Sequence, residues 1–175
     1  HAESGPIFRM GSKDVFSRPF PNQRVLQLEA KDSPDLDYLQ GSVEAFHTLA
    51  EIWQAPIVYI IRPDVKKPPA GKFLYEWSRI AYNNGSCDQS YMLMRGPLQV
   101  LLGKLVTRMF CSAGMPFDAL VQKDLDIALS KLDLSCHREG FSVAPLASTA
   151  LVPQRGFGEG AYSQLLSRFF KKFKR

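Results

Sequence analysis

Cysteine is scarce. The 175 residues hold three, Cys87, Cys111 and Cys136, and no two are spaced as CxxC. An odd, scattered set builds neither a disulfide framework nor a thiolate metal site, and it fits a reducing compartment. Long apolar runs are missing too. The best candidate, Leu98–Phe110, is broken by Lys104 and Arg108 and falls short of the roughly 20 residues a membrane-crossing helix needs. The first residues lack the apolar centre of a signal peptide, and residues 1–12 are expected to be an N-terminal remnant or a disordered segment. Glycine and proline, twelve each, are too few for a low-complexity chain.

An excess of basic charge is also missing from most of the chain. Arg168, Lys171, Lys172, Lys174 and Arg175 lie in residues 161–175, which contain no acid, and these five account for the entire net charge of +5. Residues 1–160 are therefore neutral, which argues against nucleic acid as a partner.

What is present alternates. Val15–Phe20 and Arg24–Ala30 read as strands. Ser33-Pro34-Asp35 reads as a helix start, followed by Leu36, Leu39, Val43, Phe46, Ala50 and Trp53 on one stripe of a helix about five turns long. After Pro56, the β-branched run Ile57-Val58-Tyr59-Ile60-Ile61 predicts a central strand apolar on both faces. A loop, Arg62–Pro68, leads to a helix from about Pro69 to Tyr82 with Phe73, Leu74, Trp77, Ile80 and Ala81 inward. Tyr91–Met94 predicts the next strand. Gly96-Pro97 opens a helix whose buried side is expected at Leu101, Leu102, Leu105, Val106, Met109 and Phe110. Phe117–Val121 predicts a last strand, and Asp124 is expected to cap a short helix with Ile127, Ala128, Leu129 and Leu132.

Such alternation predicts an α/β fold: a mixed, largely parallel sheet of about five strands with helices packed on it, occupying residues 13–134. Residues 135–160 read as a linker. Residues 161–175 read as an amphipathic helix, with Leu165, Leu166, Phe169, Phe170 and Phe173 on one face and the five cations on the rest. Three uses of that tail stay open: docking on its own domain, contact with an anionic membrane surface, or binding a partner.

Local chemistry is thin. Cys136 and His137 are adjacent, so their side chains diverge and make a poor nucleophile–base pair. His47 sits beside core position Phe46 and reads as a boundary residue. Gly156-Phe157-Gly158-Glu159-Gly160-Ala161 matches G-x-G-x-x-A, but the strand that must close a dinucleotide-binding βαβ unit does not follow, so it reads as a hinge. No nucleophile, base and orienting group can be assembled. Neither catalysis, a metal nor a cofactor is expected.

The order strand, strand, helix and then three strand–helix pairs resembles the STAS domain, the family of sulphate transporters and anti-sigma-factor antagonists. The resemblance covers residues 13–133 and includes the closing run Met115–Val121 followed by Asp124–Leu132. Antagonist members carry a phosphorylatable Ser or Thr where the central strand's loop enters the next helix. Here that stretch is Pro68-Pro69-Ala70-Gly71, with the glycine kept and both hydroxyls gone. The resemblance thus implies a non-enzymatic regulatory or scaffolding module without that switch. It would bind a protein partner through the loop and the following helix, at Arg62, Asp64, Lys66, Lys67, Ala70 and Gly71. The alternative is a small-ligand carrier for a nucleotide or lipid, with Leu166, Arg168, Phe169, Phe170, Lys171, Lys172, Phe173, Lys174 and Arg175 on a membrane surface. The expected location is cytoplasmic, membrane-peripheral if the tail binds lipid.

Overall fold

The computed structural model describes residues 8–10, 13–19, 22–29, 36–63, 85–112 and 116–145. Six strands lie in chain order across one sheet: β1 (Phe8–Met10), β2 (Lys13–Pro19), β3 (Val25–Glu29), β4 (Ile57–Arg62), β5 (Cys87–Leu93) and β6 (Phe117–Leu120). β3 to β6 are mutually parallel, and β1 and β2 continue the sheet antiparallel. Among the described residues three helices accompany them: α1 (Leu36–Trp53), α2 (Pro97–Ser112) and α3 (Gln122–Ser130). The expected α/β fold with a largely parallel sheet is therefore present. Its N-terminal residues carry a strand, β1, where a remnant was expected. The expected helix at 69–82, the 161–175 tail and the Gly156–Ala161 stretch lie outside the described residues.

Because the parallel strands follow one another without a reversal, the right-handed crossovers from β3 to β4 and from β5 to β6 travel the same way and deliver their helices to one face. α1 and α2 share that face, where Val43, Phe46, Leu49 and Ala50 meet Leu26, Leu28, Ile57, Tyr59, Met92 and Ala119. The Phe46 and Tyr59 rings pack tilted at 54°, with their centroids 4.8 Å apart. α3 covers the opposite face through Leu125, which packs with Val25, Val58, Ile60, Tyr91 and Leu93. The strand at 57 thus buries alternate residues on two sides, as its unbroken apolar run implies.

Two expectations about the helices need correcting. On α2, Leu101 and Leu105 are exposed, and the side turned to the sheet is Gly103 and Thr107, flanked by half-buried Val100 and Val106. The side chains of Met109 and Phe110 lie outside the described residues. The physical reason is proximity: a Cβ on Gly103 would stand 2.5 Å from that of Ala119, so the smallest residue marks the contact line and the leucines are turned away. On α3, the N-cap is Val121, and Asp124 falls in the first turn. There it faces the positive helix end as a charge instead of as a cap.

α1 ends in a Schellman turn built on a glutamine. Gln54 adopts φ 50°, and the Ala55 and Gln54 amides donate to the Ala50 and Glu51 carbonyls at 3.2 and 3.3 Å. The next two carbonyls are used by a distant segment. The amides of His137 and Arg138 donate to those of Trp53 and Gln54 at 2.6 and 2.9 Å. Phe141 and Val143 then lie against the α1-side core, and His47 Nε2 is 3.2 Å from the Ala144 carbonyl. Residues 131–145, which include the beginning of the stretch read as a linker, thus form an irregular strap. It passes beneath the strands from the α3 face to the α1 face.

Asp133 sets the bend of that strap. Its Oδ1 accepts from the Ser135 hydroxyl at 2.6 Å and the Ser135 amide at 3.0 Å, an arrangement open to the carboxylate form. These bonds, the hydroxyl's first, hold the carboxyl below the usual aspartate range despite its exposure. A depressed folded-state pKa means the stabilisation is complete above the unfolded-state value and is lost as pH falls through the folded one. Asp133→Asn should therefore lower stability at neutral pH and converge with the parent chain at acid pH, flattening the acid limb of a stability–pH profile, as read by urea midpoints at each pH.

Candidate functional site

Parallel strands end on a common rim, and the helices that follow them begin there. β4 ends at Arg62 and β5 at Leu93, followed by Arg95; α1, α2 and α3 all start on this side, which gathers the positive ends of three helix dipoles. Register places Arg62 opposite Glu29 on β3, and strand alternation puts its side chain on the α3 face, with Val58 and Ile60. The Arg62 Nε is closed off from solvent and has no hydrogen-bond partner among the described residues. At the same rim, α3 starts from a valine that offers no side-chain bond to the first amides, where Ser, Thr, Asp or Asn would normally serve.

Of the loop residues expected to contact a partner, Arg62 is therefore at the rim. Asp64, Lys66, Lys67, Ala70 and Gly71 lie outside the described residues. So do Leu166, Arg168, Phe169, Phe170, Lys171, Lys172, Phe173, Lys174 and Arg175. Arg95 was missed by the sequence reading. It is exposed, and its amide donates to Gln99 Oε1 at 3.0 Å across the start of α2. A signal for it exists: Ile61-Arg62-Pro63 and Met94-Arg95-Gly96-Pro97 repeat one pattern, an apolar run closed by arginine and then proline. Proline follows β4 directly and opens α2 after β5, and the arginine is left at the same edge in both places.

Other chemically active residues have structural surroundings. Arg24 is 3% exposed and points away from the rim, at the opposite ends of the strands. Its Nε donates to the Asp133 carbonyl at 2.8 Å, and its Nη1 to the Pro56 carbonyl at 2.7 Å and to Asp88 Oδ1 at 2.6 Å. Burial pushes the Cys136 thiol up, with Arg24 pulling the other way, so this sulfur is held protonated, the reverse of an activated nucleophile. Burial, then the Asp118 and Asp88 carboxylates, raise the Tyr91 phenol and keep it neutral.

An open groove of about 370 Å³ lies between α2 and the edge strand, beside Lys104, Arg108, Cys111 and Phe117. Because the Pro116 and Leu120 carbonyls accept from β5, Phe117 and Ala119 present their backbone groups outward. The Cys111 thiol donates to the Phe117 carbonyl at 3.2 Å, and the Ala119 amide donates to Asp118 Oδ1 at 2.8 Å. Among the described residues no group of three or more His, Cys, Asp or Glu is placed to hold a metal ion, and no helix is long and apolar enough to cross a membrane.

Comparison with protein-family models, with curated proteins and with solved structures finds no match to this chain.

Proposed function

We propose that the chain is a STAS-like docking module, non-enzymatic and regulatory or scaffolding in role, whose rim of strand ends receives an acidic segment of a protein partner. The observation that carries the reading is Arg62: a guanidinium at the end of the second parallel strand, with a buried Nε that no group among the described residues satisfies. Leaving such a donor unpaired costs about 1–3 kcal/mol, and a partner's carboxylate meeting the exposed part of the same half-buried guanidinium offsets that cost with a charge-assisted bond. Arg95 and the uncapped start of α3 add positive potential on the same side.

The order of the parallel strands favours docking over a nucleotide or lipid carrier. A doubly wound sheet binds its ligand in the crevice where strand order reverses; here β3 to β6 run in one direction without reversal. Proline and alanine at 68–70 cannot accept a phosphoryl group, so partner binding is constitutive or set by another signal.

The test is capture from native lysate by the parent chain, by Arg62→Glu, by Arg95→Glu and by Lys66→Glu/Lys67→Glu, with thermal melts as the folding control. Charge reversal at Arg62 should lower recovery of the specific partner about tenfold or more, since it replaces a paired charge with a repelled one. Equal recovery by all four folded proteins overturns the reading. A small molecule retained in native mass spectrometry, and lost in Arg62→Glu, replaces it with the carrier.

A further inference from the structure

We propose that the outward face of α2 is a contact surface for an anionic lipid bilayer. Leu98, Leu101 and Leu105 are 58%, 61% and 39% exposed. At about 100° per residue they fall within an arc of roughly 60°, opposite the Gly103–Thr107 side that meets the sheet. A helix needed only to cover a sheet turns polar residues outward; this one turns three leucines outward as a ridge, with the polar groups on its flank.

The charge around the ridge selects the occupant. Lys104 and Arg108 are exposed along one side of it, next to the open groove, and Arg95 is exposed at its start. From Gln89 to Phe117 the chain contains no acid. A second copy docking ridge to ridge across a two-fold axis would set these cations against themselves, which disfavours self-association. A partner helix normally lies in an apolar groove, and a convex ridge provides none. A planar anionic surface fits both properties: the leucines enter the acyl boundary while the lysine and arginine stems reach the headgroups. This surface meets the Arg62 rim at Arg95, and the α2 variants leave both arginines in place, so they test this inference apart from the docking reading.

The experiment is flotation of the full chain with vesicles of phosphatidylcholine alone and of phosphatidylcholine containing phosphatidylserine. Binding is expected to the second and to be absent or weak with the first. Leu98→Ser/Leu101→Ser/Leu105→Ser should lower the partition coefficient at least about tenfold, and Lys104→Gln/Arg108→Gln should lower it by a similar factor and remove most of its salt dependence. Both sets of changes are on exposed side chains, and circular dichroism confirms that the fold is kept. Phe169→Ser/Phe170→Ser in the C-terminal segment is the comparison. Loss in that variant alone, with both α2 variants binding like the parent chain, overturns the inference. So does an absence of flotation with either vesicle, and so does binding of an acidic amphipathic peptide by this face without any vesicle association.

Discussion

Replacing Arg24 with Met is expected to cost about 3–5 kcal/mol of stability, read as a lower urea midpoint. The side chain has 3% of its surface exposed and joins the Pro56 carbonyl before β4, Asp88 on β5 and the Asp133 carbonyl of the strap. Methionine keeps the stem and its packing but removes the Arg24 donor from the Pro56 carbonyl and leaves the Asp133 carbonyl with Arg138 Nη2 at 2.8 Å. Asp88, 40% exposed, can return to water, so Asp88→Asn should cost only about 1 kcal/mol. The asymmetry is the informative part. Equal losses for the two substitutions would mean that the ion pair, not the carbonyl ligation, carries the effect. The strap should also loosen in Arg24→Met, making residues 135–145 an early site of limited proteolysis at temperatures where the sheet is still folded.

Gly103→Val is the second large effect, about 3 kcal/mol, and it acts by overpacking. The absent Cβ would meet the Ala119 Cβ at 2.5 Å, with Met92 Sδ and Met94 Cγ at 3.5 Å behind it. The methionines can give way because they are long and flexible; the strand alanine cannot. α2 must therefore lift from β6. Gly103→Ala should cost less, since alanine regains about 1 kcal/mol of helix propensity. Ala119→Gly should restore much of the loss in the double variant. A coupling near zero in that cycle would show that the two positions do not share the contact.

The elements readable from sequence were those whose burial repeats with a single period. Val43, Phe46 and Ala50 announce the long helix, and the run from Ile57 to Ile61 announces a strand covered on both sides. The beginning of β5 was missed because Cys87-Asp88-Gln89-Ser90 has no apolar alternation. Those residues pair with Ile57, Val58 and Tyr59 through the backbone, and Asp88 serves Arg24. α2 misled for the opposite reason. It has more leucines than its inward face can hold, and only the Gly103–Ala119 approach decides which are turned away. The strap was illegible because carbonyls at the end of α1 and the Arg24 guanidinium hold it, and neither leaves a pattern in local hydrophobicity. Of the candidate site, Arg62 was legible as the residue after an apolar run. Arg95 needed the comparison of two strand ends.

The far edge of the sheet has a consequence for how this molecule can associate. An unprotected final strand is a template on which another chain can polymerise. Here a neighbouring carboxylate occupies the amide of Ala119 and a thiol occupies the carbonyl of Phe117, so the last rung is already taken from within. Main-chain addition at this end must first displace the contacts of Cys111 and Asp118, which favours assembly written in side chains, with a composition that can be read and edited.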